Sequence, residues 1–555
     1  MKIQTGTTKI HRTIQVKKHQ ILKAQSMKKR IVIFLALLVC TVYGQTSEVV
    51  FIQMNDVYEI APLEGGKYGG LARVKTVIDR IKQNNPYTFV VLSGDFISPS
   101  ALGTSTYEDK RINGRQMVDV LNAIGLDYVT FGNHEFDYKY DVLQERINES
   151  KFDWISSNVF RIPGARGNNE PVFFEKYNPL SYTHWRDSNL SKMDVMLIGK
   201  NLPEYKIIKT PGYLKGQPIR LGIIGICINA NKQRYVSYSD YYSSAKHVYT
   251  SIKDSIDYLI GITHLNIDED KKLASEVPQL KLIMGGHEHV NMLHKVGETI
   301  ITKADANAIT IYIHRLLFDE HNKLLEIKSE LVSIDEKIPE DPKVKALVDE
   351  WVTRAYKGFY DKGFDPLKMV IDLKQDTLDG RDETVRYSQC ALGYLVANAM
   401  FDAVKGADLA FFNSGAIRLD DKLTGEITEY DIIRVLPFGG KILRVELKGA
   451  LLKQIIETGF SQPGSGGYLQ YYGLEQTAAG YKLKNELINE NKVYTAAVAD
   501  YLMSGMESNF GYLTKENPGV IKVTEPDPAD KSDLSNDIRF AVINFLGKWY
   551  KPTKN

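Results

Sequence analysis

Five short β-rich runs, each ending in Asp, Asn or His, constrain this chain more than any other feature. "FIQMND" delivers Asp56 and "VVLSGD" delivers Asp95. "VTFGNHEFD" delivers Asn133, His134 and Asp137; "GITH" delivers His264; "MGGHEH" delivers His287 and His289. Helix-like stretches such as "GGLARVKTVIDRIKQNN" and "GRQMVDVLNAIG" separate several of the runs. Alternation of this kind predicts an α/β fold. In such sheets ligands bind in the crevice beyond the carboxyl ends of the strands. Gly94, Gly132 and Gly286 stand just before several of the polar residues and permit sharp turns there.

The residue types suit a pair of metal ions. Two ions about 3.5–4 Å apart can clamp the attacking and leaving oxygens of an in-line displacement. A carboxylate such as Asp95 is fit to bridge them, with imidazoles and an amide oxygen completing the sites. Mixed nitrogen and oxygen donors favour Zn, Mn, Fe, Co or Ni over Ca or Mg. A metal-activated water would attack, a nearby His would protonate the leaving oxygen, and a carboxylate would fix that His in one tautomer. His134 and Asp137 fit this dyad. "GD" alone is common, and a lone His is more often structural than a ligand. "GNHEFD" and "GGHEH", in this order with Asp56, Asp95 and His264, are far more specific.

On these motifs residues 47–335 resemble a calcineurin-like metallophosphoesterase domain. Residues 368–550 resemble the C-terminal domain of secreted 5'-nucleotidases and UDP-sugar hydrolases, and 336–367 form a linker containing a helix that opens near Pro342. The resemblance implies a two-domain α/β chain: an N-terminal β-sandwich flanked by helices (αββα) and a C-terminal α/β nucleotide-binding domain. It implies two divalent or mixed-valence ions (Zn, Mn, Co or Fe) held at Asp56, Asp95, Asn133, His264, His287 and His289, with His134–Asp137 as acid dyad. The expected partner is a nucleotide.

Tyr58 departs from the family, which usually has His there. Three readings stay open: a phenolate ligand, a side chain turned away that leaves one ion short of a protein donor, or a defunct centre. A free phenol has pKa about 10, and a cation favours its ionised form. The added negative charge predicts a harder or more oxidised metal, such as ferric iron.

In the second domain, "FFNSGAIR" resembles the family's glycine turn, so Asn413, Gly415 and Arg418 are expected at the substrate, joined by Arg386 from "VRYSQCALGY". Arg offers planar, bidentate anion recognition. Phe438 in "LPFGGKI" matches an aromatic that stacks on the base. Tyr512 in "NFGYL" is the expected opposite face, with Phe510 its rival, because the family's "GGDGF"-like run is here "MESNFGYL".

"MKKRIVIFLALLVCTVYGQ", starting at Met27, has a basic start, an apolar core and small-residue character near Gly44. It reads as an export signal, so residues 1–44 are set apart as an upstream segment and signal peptide, and the mature chain is expected to be periplasmic, cell-surface or secreted. A lipid anchor at Cys40 fits less well, since Val39 precedes it where a small residue is wanted. No later stretch is long and apolar enough to span a membrane. Residues 1–44 hold nine Lys and Arg and no acid, leaving 61 basic against 68 acidic residues beyond them, a net charge of −7. The basic overall balance therefore gives no argument for nucleic-acid binding. Cys227 and Cys390 sit in apolar runs and read as small buried hydrophobes.

The favoured function is a metal-dependent 5'-nucleotidase releasing phosphate from nucleoside monophosphates. A UDP-sugar or dinucleotide pyrophosphatase and a 2',3'-cyclic phosphodiesterase would use the same metals. A non-catalytic nucleotide-binding protein requires Tyr58 to have disabled the centre, yet pure binding has no use for an acid dyad.

Overall fold

The structure, a computed structural model, describes residues 47–162, 172, 174–177, 199–212, 217–231, 233–507 and 509–549. The expected export signal, Cys40 and Tyr550, where the expected second domain ends, lie outside these residues.

Two six-stranded sheets make the first part of the chain. The first runs, in spatial order, β12 (Leu324–Ser333), β11 (Thr310–Phe318), β1 (Ser47–Met54), β2 (Thr88–Leu92), β3 (Tyr128–Val129) and β4 (Asp153–Trp154). The second runs β5 (Tyr205–Pro211), β6 (Pro218–Cys227), β7 (Tyr258–His264), β8 (Leu280–Met284), β10 (Thr299–Lys303) and β9 (Met292–Val296). β1, β2, β3 and β4 are parallel, as are β6, β7, β8 and β10. Parallel strands buried on both faces read as continuous apolar runs, and β7, "YLIGITH", is buried throughout but for its first residue. Polar side chains stitch the two sheets. Gln53 donates to the carbonyls of Gly285 and Thr302 at 3.0 Å each, and the Ser93 hydroxyl donates to the Met284 carbonyl at 2.7 Å.

Helices α1 (Leu71–Asn84), α2 (Arg115–Ile124), α3 (Tyr140–Glu149), α4 (Tyr241–Ile252) and α5 (Ile267–Glu276) flank the sheets. α1 buries Leu71, Val74, Val77, Ile78 and Ile81, a stripe at helical spacing. The linker helix α6 (Pro342–Tyr360) begins as the sequence predicts: Pro342 takes the first turn and the Asp341 carboxylate accepts from the backbone N–H of Lys343 and Val344. It buries Val344, Val348, Trp351, Ala355 and Phe359 in the same core as α1 and α2.

The later part pairs β13 (Met369–Asp379) with β15 (Lys422–Thr428), and orders β17 (Leu469–Tyr472), β14 (Leu409–Asn413), β18 (Val493–Ala499), β16 (Ile442–Lys448) and β19 (Val520–Thr524) in a mixed sheet. α7 (Ala391–Ala403), α8 (Glu429–Val435), α9 (Gly449–Phe460) and α10 (Ile538–Trp549) accompany it. Two cores form here, one including Leu392, Val396, Met400 and Phe412, the other Phe411, Leu452, Ile455 and Phe510. The structure therefore has the expected two-part α/β architecture. Cys227 is buried and Cys390 half-buried, both unpaired by disulfide.

Contact density divides the chain into a small unit, Lys209–Ile219 and Arg315–Ile327 with the described part of Met1–Val49, and a large unit holding the rest. Within the small unit Arg315 pairs with Glu48 at 3.1 Å. Every residue of the site described next belongs to the large unit.

Candidate metal centre

Asp56 and Asp95 stand just past β1 and β2, Asn133 just past β3, His264 ends β7, and His287 and His289 follow β8. Four of these turn residues hold left-handed backbone: Asp56 (φ 52°), Asp95 (56°), His287 (94°) and His289 (61°). Such conformations in non-glycine residues cost about 1–3 kcal/mol each and cluster at functional sites. Glycine gives the turns room to approach. A Cβ on Gly132 would collide with the Asp95 carboxylate, and one on Gly286 would lie 2.6 Å from the Ser93 carbonyl oxygen and 2.9 Å from His264 Nδ1.

One ligand atom each from Asp56, Asp95 and His264 fall within 4.8 Å of one another, and all three residues are buried. His264 Nδ1 lies 2.7 Å from the Ser93 carbonyl, which leaves Nε2 facing Asp95 Oδ2 at 3.2 Å. His289 Nε2 is 3.3 Å from Asp56 Oδ1. The His287 ring packs edge-on to His264 with centroids 5.2 Å apart, and its backbone N–H donates to Asp56 Oδ2 at 2.9 Å. Asn133 Oδ1 and His264 Nε2 are buried with no hydrogen-bond partner. Two buried carboxylates, bare imidazole nitrogens and an orphaned amide oxygen, all convergent, are a donor set that fits cations.

Tyr58 is 4% exposed and its hydroxyl points into this cluster. It lies 3.2 Å from Asp95 Oδ2, 3.4 Å from Asp56 Oδ1 and 3.0 Å from His289 Nε2. The side chain is thus not turned away. Burial, then the carboxylates of Asp95 and Asp56, push the phenol well above 10, whereas a cation bound beside it would favour its ionised form. Burial would raise the Asp95 carboxyl too, but His264 and His134 override it and hold it well below the usual range. Burial, then His264, lower His287 to about 3, so it stays a neutral donor.

Beside the cluster, His134 Nδ1 is 2.9 Å from Asp137 Oδ2. Asp137 is held in turn by the Ser98 hydroxyl at 2.8 Å and the Asn231 amide at 2.7 Å. The His134 backbone N–H donates to Asp95 Oδ1 at 2.7 Å, fastening the dyad to the metal cluster. Glu135, buried between two ligand-bearing turns, accepts from the backbone N–H of Asp95, Phe96, Ile97 and Gly132 at 2.9, 2.9, 3.3 and 2.6 Å.

The later part of the chain reaches the same place. Arg418 Nη2 lies 3.2 and 3.1 Å from the two ring nitrogens of His134, and its guanidinium carbon is 5.9 Å from the Phe438 ring centre. Phe438 is 53% exposed. Asn413 donates to Glu507 at 2.9 Å, and the Gly415 N–H donates to the Gly466 carbonyl at 2.8 Å, closing the turn that carries Arg418. Arg386 pairs with Asp382 at 2.6 Å.

Two expected aromatics are not brought to this cluster. Phe510 is fully buried in a core. The Tyr512 hydroxyl is engaged by Thr458 at 2.9 Å and lies 3.4 Å from the Gln454 carbonyl, both on α9. Tyr501 is a further exposed aromatic in this part of the chain. It is 46% exposed; burial raises its phenol first, then Glu507 and Asp137 raise it, and Arg418 lowers it, placing it within range of those charges. It lies in "ADYLMSGMES", in the turn that follows the strand ending at Ala499 and four residues before Gly505, and the run resembles no "GGDGF".

Residues 49–291 match the calcineurin-like phosphoesterase family, and residues 370–514 match the 5'-nucleotidase C-terminal domain. A 5'-nucleotidase of Vibrio cholerae is 26% identical over 474 residues, covering 76% of this chain and 77% of that protein. Protein UshA of Escherichia coli is 25% identical over 501 residues, covering 82% and 85%. A trifunctional nucleotide phosphoesterase, YfkN of Bacillus subtilis, is 25% identical over 438 residues, 73% of this chain but 28% of that longer protein. Among solved structures, a 5'-nucleotidase precursor of Thermus thermophilus superposes with a TM-score of 0.67 at 20% identity, covering 91% of this chain and 97% of that one.

Proposed function

The chain belongs to the 5'-nucleotidase family of metallophosphoesterases and is a phosphoesterase, and from that premise we propose that it releases phosphate from nucleoside monophosphates in a metal-dependent reaction. The observation that carries this reading is the convergence on one ring: His134 is braced by Asp137, tied to Asp95 and met by Arg418.

Asp56, Tyr58, Asp95, Asn133, His264, His287 and His289 would hold two ions. When bound, these would polarise the phosphoester and activate water. The rest falls to the chain. Asp137 accepts a hydrogen bond from Nδ1–H of His134, which fixes the ring so that Nε2 can hand a proton to the leaving oxygen. Arg418, beside Nε2, draws a phosphate oxygen to that point and fixes its approach. Arg386 and Asn413 line the anion and ribose side. Phe438 offers an exposed ring for the base, and Tyr501 the opposing one. Stacking accepts every base, so it gives affinity without choosing among them. Domain boundaries at 47–335 and 368–550, with α6 between them, follow the same reading.

Tyr58 is assigned as a ligand because its hydroxyl lies among the donor atoms of Asp56, Asp95 and His289. That placement, and the intact dyad, speak against a disabled centre. The basic and apolar pattern from Met27 to Gly44 supports export, and among the described residues no helix is long and apolar enough to cross a membrane. Phosphate release from AMP, compared with UMP formed from UDP-glucose and p-nitrophenol freed from bis-p-nitrophenyl phosphate, tests the proposal. Faster turnover of either of the latter would move the assignment to a pyrophosphatase or a diesterase.

A further inference from the structure

His289 poses a requirement that its own half of the chain does not meet. An imidazole that gives Nε2 to a metal must carry its proton on Nδ1, and that proton needs an acceptor to fix the ring. His264 finds one locally, in the Ser93 carbonyl. His289 Nδ1 instead lies 2.6 Å from Asp420 Oδ2, a residue of "IRLDDK" in the later segment, two positions beyond Arg418. Both atoms are buried, and apart from this close contact neither has a polar partner within hydrogen-bond reach. Asp420 is held in place: its backbone is left-handed (φ 51°), and its other carboxylate oxygen is 3.5 Å from the Asp382 N–H. The neighbouring acids are engaged elsewhere. Asp421 pairs with Arg434 at 2.5 Å, and Asp382, 4.0 Å from His289 Nδ1, pairs with Arg386.

We propose that Asp420 is a positioning residue for the metal centre, accepting the Nδ1 proton of His289 so that Nε2 faces Asp56, Tyr58 and the ion. The inference rests on the metal-centre reading above and deepens it. It has a consequence for the order of events. The segment carrying Arg418 also carries the carboxylate that completes a metal ligand, so one turn serves both substrate and metal. By linkage, tighter metal binding then favours docking of that segment, and docking favours metal to the same factor.

The experiment uses the full mature chain stripped of metal, titrated with Mn(II) and separately with Zn(II) against a competing chelator, with folding checked by circular dichroism. Parent protein, Asp420→Ala and Asp420→Asn are compared. Loss of an outer-sphere partner typically costs about 10–100-fold in metal affinity, and that loss is expected on one of the two ion equivalents in Asp420→Ala. Asp420→Asn, which keeps an acceptor oxygen but not the charge, should lose less but still bind measurably more weakly than the parent. If the alanine variant does not fold, the asparagine variant decides. Parent-like affinity for both equivalents in whichever variant is folded overturns the proposal alone. A parent that binds no ion overturns the centre and this inference together.

Discussion

Tyr58 is the residue on which the chemistry turns. Two features settle its direction: the φ of Asp56 turns the chain sharply after β1, and the Tyr58 N–H donates to the Asn307 side chain at 2.9 Å. The ring then has nowhere to go but inward. A phenolate ligand makes a spectroscopic prediction. Protein reconstituted with ferric iron should show a visible phenolate-to-metal band that Tyr58→Phe lacks. Tyr58→Phe should also bind one ion at least about tenfold more weakly, on the scale known for losing even an outer-sphere partner. Iron-loaded protein without the band would remove Tyr58 from the ligand set. His134 carries the second prediction at this scale. Removing a general acid costs typically about 10²–10⁴-fold in rate, so His134→Asn should lower kcat by that order while metal content stays near the parent's. An unchanged kcat would mean that another group protonates the leaving oxygen.

At the scale of elements, the turns after β2 and β3 behave as one piece because Glu135 ties them. Four backbone N–H groups converge on its carboxylate, and burial, then Asp95, raise it to about 7. Glu135→Ala would orphan four buried donors at about 1–3 kcal/mol each, shared incompletely among them. A destabilisation of at least about 3 kcal/mol is expected in urea unfolding. A loss below about 1 kcal/mol would show that the turns hold without it. Glu135 was in view within "GNHEFD", but a sequence cannot tell a carboxylate facing the metal from one facing the backbone behind it. What pattern could show, it showed. "LIGITH" and "LKLIMGG" are buried parallel strands because their residues are mostly apolar, and α6 starts at Pro342 because Asp341 caps it. β12 mixes half-buried and exposed residues at a sheet edge and gives a weak sequence signal. The same limit explains Asp420. Nothing local in "IRLDDK" distinguishes it from Asp421, and only the turn decides that one meets His289 and the other Arg434.

For the whole molecule, the candidate site brings together residues nearly 300 positions apart in sequence, Arg418 and His134 among them. The second aromatic illustrates why distance in sequence misleads. Tyr512 lies within the anomalous "MESNFGYL" and Tyr501 just before it, and the chain's path turns the Tyr512 hydroxyl onto α9 and leaves Tyr501 exposed. Base stacking is worth about 1–3 kcal/mol per base, so Phe438→Ala and Tyr501→Ala should each raise KM for AMP by roughly tenfold or more, while Tyr512→Ala leaves it near the parent value. The reverse pattern would return Tyr512 to the pocket. All of these outcomes presuppose a metal-dependent nucleotidase, and one measurement bears on that most directly. Mature protein from Gln45 onward, stripped of metal, is assayed for phosphate release from AMP with Zn, Mn, Co, Mg and ferrous or ferric iron restored separately. The account predicts negligible release without metal and recovery with at least one transition metal. A folded protein that still binds AMP, yet releases no phosphate with any of these metals, would contradict it.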